Sequence, residues 1–230
     1  TPDYQSLEKL LYALSQCGVD GPLTVKLAPG YYLPHTFPAI PGISSTNYVR
    51  FEPLSGAVTF VSSMHDTSLV NSLVNLQRTH HVRFKNIHFL SNAASNPVTY
   101  LVRMGTNSVG CQFDSCSFAE VQGGSMSESY MAASALLYSG GADSLVVNNC
   151  TFNRGTMGIS LVGPAQDNMA HGSIVRGNYF QNQGTNSMVI RNQIDAVVDS
   201  NNCNEVYANS SYAILLQDCS GETKVTRNTV

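Results

Sequence analysis

Charged and amide side chains recur at one position of a repeated eight-residue pattern, and these residues are the best placed to act together chemically. The clearest copy is LVVNNCTF, residues 145 to 152, which ends on an aromatic residue after an Asn-Asn step. Strand alternation turns the fourth position of each copy outward. That position holds, in successive copies, Lys85, Asp114, Asn148, Arg176, Asp199 and Thr226.

This outward column permits two interpretations. In the first, neighbouring charges stabilise the fold as a ladder, Lys85 with Asp114 and Arg176 with Asp199, each pair contributing about 0.2–1 kcal/mol. In the second, the column lines a polar groove for a glycan, together with Tyr179 at the adjacent outward seventh position. Aromatic faces and planar polar groups suit sugars. The residues favour the ladder, and the groove remains the alternative.

The pattern repeats along most of the chain. Successive copies, including the short copy VRFEP, are 23 to 34 residues apart, which is in the range of solenoid repeats. Alternation turns the third and eighth positions inward, so each should form one buried column across the coils. After Phe51, the third positions are Phe84, Phe113, Val147, Val175, Val198 and Val225. The eighth positions are Phe89, Phe118, Phe152, Phe180, Cys203 and Val230.

Each repeat carries a second apolar run before the first, such as YLVRM (100–104) or ALLYS (135–139). Gly, Asn, Ser and Asp separate the runs, and these residues favour turns. One such coil cannot bury its inner face alone, whereas stacked coils form parallel sheets with strands about 4.8 Å apart around one core. The sequence therefore predicts an all-β parallel β-helix, in which Asn148 and Asn149 mark a corner between two strands.

The N-terminal segment differs from the repeats. In SLEKLLYALSQCG, residues 6 to 18, the leucines have helical spacing, Ser6 is suited to the N-cap and Gly18 to the C-terminal stop. A short amphipathic helix there would cover the open end of the solenoid. We expect residues 1–45 to form this cap and the first coil, and residues 46–230 to form the remaining coils.

The C-terminal end suggests a truncated solenoid, because the chain ends at Val230 inside a repeat. An uncapped last coil would present unpaired backbone groups beside apolar side chains. We expect this end to associate with a second copy or to fray.

Composition excludes several classes of function. The 230 residues are 43% hydrophobic and 12% charged, with a net charge of −3, so nothing indicates binding to nucleic acid or an anionic membrane. No apolar run approaches the roughly 18 residues of a membrane span.

The six cysteines include no CxxC pair, so they do not indicate a zinc site. Cys116, Cys150 and Cys203 fall at inward positions and should be free, buried thiols. No metal or cofactor is expected.

The opening segments resemble a known superfamily. GPLTVKLAPGYYLP, followed by IPGISSTNYVRFEP and by coils of the form V-x-F-x-N-x-x-F, is similar to the right-handed parallel β-helix (pectin-lyase-like) superfamily. Within it, the chain resembles β-helix domains of large secreted or surface proteins of Bacteroidetes. The resemblance covers nearly the whole chain and implies a right-handed solenoid. It implies no single activity, because this fold hosts lyases, hydrolases, esterases, adhesins and spacers.

The enzymes of that superfamily provide patterns to compare. Pectate-lyase-like enzymes cluster carboxylates around calcium, whereas Asp114, Asp199 and Asp218 fall in different coils. Polygalacturonase-like enzymes use paired aspartates, of which none is found, and His171 is better explained as a solvated loop residue. Pectin-esterase-like enzymes use a Gln-Asp step at a strand end. Gln217 and Asp218 match that step, but no partner Asp and Arg are identifiable.

These comparisons favour a non-catalytic β-helix module of a secreted or cell-surface bacterial protein, which serves glycan binding, adhesion or rigid spacing. The alternative is a polysaccharide lyase or glycoside hydrolase that acts on uronic-acid-type polysaccharides. Its catalytic residues would then lie beyond Val230 or in the loops 119–134 and 163–172.

Overall fold

The chain winds as a right-handed parallel β-helix, as predicted. The computed structural model describes residues 4–61, 72–91, 100–120, 135–165, 167–206 and 212–230. Its strands form three parallel sheets, named here A, B and C, and each full coil contributes one strand to each sheet. Two two-residue strands, β16 (Ala170–His171) and β20 (Gln193–Ile194), pair outside these sheets.

Successive coils contribute the strands of each sheet in order. Sheet A contains β1 (Leu23–Leu27), β4 (Val49–Pro53), β7 (Val82–Lys85), β10 (Gln112–Asp114), β13 (Val146–Asn148), β17 (Ile174–Arg176), β21 (Val197–Asp199) and β24 (Lys224–Thr226). Sheet B contains β2 (Gly30–Tyr32), β5 (Val58–Val61), β8 (His88–Ser91), β11 (Ser117–Glu120), β14 (Thr151–Asn153), β18 (Tyr179–Gln183) and β22 (Asn202–Val206). Sheet C contains β3 (His35–Thr36), β6 (Ser72–Leu76), β9 (Tyr100–Met104), β12 (Ala135–Gly140), β15 (Met157–Val162), β19 (Asn186–Arg191) and β23 (Ile214–Gln217).

The predicted helix is present as α1 (Leu7–Cys17), and it packs on the core at the N-terminal end. The Ser6 hydroxyl accepts a hydrogen bond from the Lys9 N–H, and the Gly18 N–H donates to the Leu14 carbonyl at 2.9 Å. The helix buries its four leucines. The division of the chain at residue 45 remains a prediction. Among the described residues, no helix is long and apolar enough to cross a membrane.

The two inward columns have the predicted register. Third positions pair from Phe51 to Val225, and eighth positions pair from Phe89 to Cys203, with one member in each successive coil. All are buried except Val225, which is 45% exposed. The prediction of a fully buried column was wrong at Val225, because β24 is the edge strand of sheet A. Val230 is likewise exposed.

A left-handed residue turns the chain between sheets A and B. Asn149 has a φ of 53°, between the end of β13 and the start of β14, so the predicted corner is confirmed. Left-handed residues occupy the same fifth position of the other repeats. They are Asn86, Ser115, Gly177, Ser200 and Arg227.

The sixth position forms a hydrogen-bonded ladder inside this corner. Each member donates to the third-position carbonyl of the preceding coil, first through thiols and then through amides. Cys116 donates to Phe84, Cys150 to Phe113, Asn178 to Val147, Asn201 to Val175 and Asn228 to Val198. The amide nitrogens of Asn178 and Asn201 lie 3.0 Å from these oxygens, compared with 3.5 Å and 3.6 Å for the two thiols.

The cysteines are free thiols, and those at the inward positions are buried, as predicted. Burial raises the pKa of Cys203 to about 11, and it also raises the pKa of Cys150 well above its ordinary value. Because the thiolate is the reactive form, these groups are chemically inert at neutral pH.

Candidate functional site

The predicted outward column lies on sheet A in the expected register. Lys85, Asp114, Asn148, Arg176 and Asp199 occupy successive coils at one strand position, about 4.8 Å apart from coil to coil. The structure therefore brings these five side chains into one row.

Tyr179 is not part of that row. It lies on β18 of sheet B, beyond the corner. Its hydroxyl accepts a weak hydrogen bond from the Asn204 amide at 3.4 Å.

Asp199 is buried beneath two arginines, although its position faces outward. Arg176 Nε lies 3.2 Å from its Oδ2, and Arg227 Nε donates to its Oδ1 at 2.9 Å. Thr226 also donates to Oδ1, at 2.8 Å. Only 3% of the Asp199 side chain is exposed. Asp199 pairs with Arg176, as the ladder interpretation predicted, and the long arginine side chains cover its carboxylate.

This ion cluster gives a pH-dependent expectation. The hydrogen bond from Arg227, followed by that from Thr226, holds the pKa of Asp199 well below its ordinary value. A lowered folded-state pKa means that the carboxylate stabilises the fold fully above about pH 4, and that this contribution is lost as the pH falls further. We expect Asp199→Asn to melt at a lower temperature than the wild type at about pH 7, and the difference to shrink at about pH 3.

Asp114→Asn is the matched control for the melting experiment. Asp114 occupies the same outward position and forms no ion pair within the described part of the chain. A loss of stability in Asp199→Asn that is the same at both pH values would contradict the role of the charge.

Lys85 and Asp114 are neighbours in register, but their charged groups form no ion pair in the described ranges. The ladder interpretation is therefore confirmed for Arg176 with Asp199 and wrong for Lys85 with Asp114. Lys85 lies instead in an open groove at the other end of the row.

That groove lies where sheets A and B meet, and we name it the corner groove. It forms where β4 and β5 are joined by four residues, 54–57, whereas only two residues join β7 and β8. Its volume is about 530 Å³. The lining residues are Lys26, Glu52, Pro53, Gly56, Ala57, Lys85, Asn86 and His88.

The residues compared with enzyme patterns do not converge. Gln217 ends β23, as expected, and Asp218 follows at a left-handed position. His171 is exposed, and its backbone N–H donates to the Asp143 carboxylate. No described strand of sheet C carries a carboxylate. Within the described ranges, no three His, Cys, Asp or Glu side chains could hold a metal ion.

A second groove, not predicted from the sequence, lies on the outer face of sheet C. We name it the Tyr138 groove. Arg103 and Tyr138 are half-buried partners in register, and the Tyr138 ring stacks on Tyr100 with 4.6 Å between ring centroids. The groove has a volume of about 280 Å³. It is lined by Gln77, Arg78, Arg103, Met104, Gly105, Thr106, Tyr138 and Gly140.

The Tyr138 groove carries positive charge. No carboxylate lines it, and neither Arg78 nor Arg103 forms an ion pair with the residues the structure describes. Gly140 keeps one edge of the tyrosine ring open, since a Cβ there would lie 3.1 Å from that ring. The groove thus presents an aromatic ring, guanidinium groups and an amide to solvent.

One sequence signal pointed to this groove. The apolar runs SLVNL, YLVRM and ALLYS are each interrupted at the fourth place, by Asn75, Arg103 and Tyr138. These three residues pair in register across β6, β9 and β12. A single polar or amphipathic residue in an otherwise buried strand marks the outward position, and stacked coils align such residues.

The three parallel sheets and the left-handed corner define the class of the protein as a parallel β-helix. No family model matches the sequence. No curated protein matches it significantly.

Two solved structures are similar in fold. A pectin methylesterase from Aspergillus niger, in deglycosylated form, has a TM-score of 0.49 and 11% identity, covering 99% of this chain and 86% of that one. A pectin methylesterase from carrot has a TM-score of 0.47 and 11% identity, covering 97% and 84% respectively.

Proposed function

We propose that this chain is a non-catalytic β-helix module of a secreted or cell-surface bacterial protein, and that it binds a polysaccharide in the Tyr138 groove. The observation that carries the proposal is the Tyr138 ring, stacked on Tyr100 and placed beside Arg103 in an open groove. A partly exposed tyrosine has an apolar face and a polar hydroxyl, which together suit the faces and hydroxyl groups of a sugar.

The neighbouring groups supply directed hydrogen bonds. The guanidinium of Arg103 is planar and offers five N–H donors in a fixed arrangement. The Gln77 amide, one coil away, offers both donors and an acceptor. Arg103 and Tyr138 occupy one strand position in adjacent coils, about 4.8 Å apart, and Gln77 lies two residues beyond the partner of Arg103 in the preceding coil. A linear polymer can lie across these groups along the solenoid.

The lack of carboxylates on the described strands of sheet C supports a non-catalytic role for the Tyr138 groove. Glycoside hydrolysis generally requires two carboxyl groups about 5–9.5 Å apart. The described strands of sheet C contain none, and Asp199 is already engaged by two arginines. The lyase or hydrolase alternative would need residues outside those described, such as 121–134, which include most of one loop considered from the sequence.

The test is a binding comparison of two tyrosine variants. We expect Tyr138→Ala to weaken binding to the best polysaccharide of a mixed neutral and uronic-acid panel by about tenfold or more, equivalent to about 1.4 kcal/mol. Isothermal titration calorimetry measures the change. Tyr179→Ala is the matched control, because Tyr179 also faces outward but lies on sheet B. Equal affinity of Tyr138→Ala and the wild type would overturn the proposed site.

The non-catalytic role has its own measurement. The protein is incubated with the same uronic-acid polysaccharides, and reducing and unsaturated ends are assayed. Release of either kind of end above that of a heat-denatured sample would replace the proposed role with a hydrolase or a lyase.

A further inference from the structure

We infer that the corner groove is a second binding site, selective for an oxyanion carried by a sugar. Carboxylate, sulfate and phosphate groups share the relevant chemistry, namely a negative charge spread over oxygen atoms that accept hydrogen bonds. The preference for an anion is argued from the groove itself. The expectation that a sugar carries this anion rests on the proposed function. The volume of about 530 Å³ lies within the range of roughly 300–1,000 Å³ typical of small-molecule sites.

The charges of the groove leave one cation uncompensated. Glu52 is the only carboxylate among the described residues that line the groove, and Lys26 Nζ lies 2.5 Å from Glu52 Oε1. The second oxygen, Oε2, lies 3.1 Å from Arg50 Nε. These contacts lower the pKa of Glu52, with the hydrogen bond from Lys26 as the largest cause and the charge of Lys85 as the smallest. Both carboxylate oxygens are therefore occupied by cations other than Lys85.

Lys85 feels the charge of Glu52 but forms no ion pair in the described ranges. It follows Phe84, which pairs with Phe51 and is buried, so the backbone of Lys85 is fixed by the core. Its ammonium group forms no ion pair or hydrogen bond with any described residue. A partly buried lysine without an ion-pair partner is a favourable site for an anion, because the anion supplies the ionic interaction that the fold does not provide.

The 54–57 connection adds backbone donors. Gly56 and Ala57 line the groove, and their N–H groups form no hydrogen bond within the described part of the chain. Gly56 has a left-handed φ of 59°. A left-handed residue in a turn directs successive N–H groups toward one concavity, which is a common backbone arrangement around anions.

The remaining side chains suit a sugar. Ser117 Oγ and His88 Nδ1 are hydrogen-bonded at 2.6 Å, which fixes the imidazole ring and leaves Nε2 without a partner in the described ranges. Asn86 is exposed at the left-handed corner. An imidazole nitrogen and an amide can bind the hydroxyl groups of a sugar ring while Lys85 and the backbone N–H groups bind its anionic group.

The experiment uses four small probes, each titrated into the isotopically labelled protein and followed by NMR. The probes are glucuronic acid, glucose 6-sulfate, glucose 6-phosphate and neutral glucose. We expect at least one anionic probe to shift the amide signals of Gly56, Ala57 and Lys85, and glucose to shift none of them. The anionic probe with the highest affinity identifies the natural chemistry as carboxylate, sulfate or phosphate. Shifts of equal size with glucose would overturn the inference.

Two variants test the role of the charge. Lys85→Gln is expected to weaken binding of the anionic probe by about tenfold. Lys224→Gln is the matched control, since Lys224 lies at the opposite end of sheet A, and it is expected to bind as the wild type does. Unchanged affinity in Lys85→Gln would overturn the inference. A melting curve of each variant confirms that the fold is retained.

The design separates this site from the Tyr138 groove. Tyr138→Ala should leave the anion-dependent shifts at Gly56 and Ala57 unchanged. If the anionic probes shift Arg103 but not Gly56 or Ala57, the corner-groove inference is wrong and the proposed function stands. If the corner groove responds while Tyr138→Ala retains full polysaccharide affinity, the inference stands and the proposed function is wrong.

Discussion

Replacing Phe118 by alanine is expected to lower the free energy of unfolding by about 3–5 kcal/mol. Phe118 is fully buried and lies between two other rings of its column, 4.9 Å from Phe89 and 4.6 Å from Phe152 between centroids. Phe113 packs against its edge at 5.7 Å. Because rigid strands enclose the site on both sides, the core cannot collapse into the space, and the cavity adds to the lost burial. Chemical denaturation measures the loss.

Lys85→Ala is the control for the core variant. Lys85 lies on the outer face of sheet A and forms no ion pair in the described part of the chain. Its replacement is expected to cost under about 1 kcal/mol. Losses of similar size in the two variants would mean that the inner and outer faces have been assigned incorrectly.

Asn178→Ala is expected to lower the free energy of unfolding by about 1–3 kcal/mol. Asn178 is 1% exposed, accepts from the Cys150 N–H at 2.8 Å and donates to the Val147 carbonyl at 3.0 Å. Its removal leaves the buried Cys150 N–H without a partner, at a cost of about 1–3 kcal/mol, whereas the Val147 carbonyl still lies in the ladder between β13 and β17. The same denaturation experiment measures this effect.

Asn178→Cys separates the hydrogen bonds from the packing. A cysteine occupies the same ladder position at Cys150, where its thiol donates to the Phe113 carbonyl. The cysteine variant should therefore recover the bond to Val147 but not the bond from the Cys150 N–H. We expect its stability to lie between those of the wild type and Asn178→Ala. Equal stability of the alanine variant and the wild type would show that the ladder does not stabilise the corner.

The coil alignment could be predicted from the sequence because a parallel β-helix repeats one burial pattern. Phe84 and Phe113 are 29 residues apart in the sequence, but they pair directly and their rings stack at 5.3 Å. An inward position accepts only apolar or hydrogen-bonded side chains, so the requirement is visible in every copy. The capping helix was predictable from local signals, namely the spacing of its leucines and Ser6 at the N-cap.

The contacts of long polar side chains could not be predicted in this way. Alternation placed Asp199 outward, but Arg227, from the corner of the next coil, covers it. Lys85 and Asp114 have opposite charges in adjacent coils and nevertheless form no ion pair in the described ranges. Strand register sets where the Cα atoms lie, whereas long, flexible side chains can contact residues of several coils.

The sequence by itself determined the solenoid, its coil register, the N-terminal helix and the inward columns, because these depend on periodic burial along the backbone. Only the tertiary structure decided which outward residues form grooves. The corner groove depends on the longer 54–57 connection, and the Tyr138 groove depends on the stacking of Tyr138 on Tyr100. Alternation can align outward residues such as Arg103 and Tyr138, but a groove is a departure from the repeat, so the periodicity that reveals the fold does not by itself locate a groove.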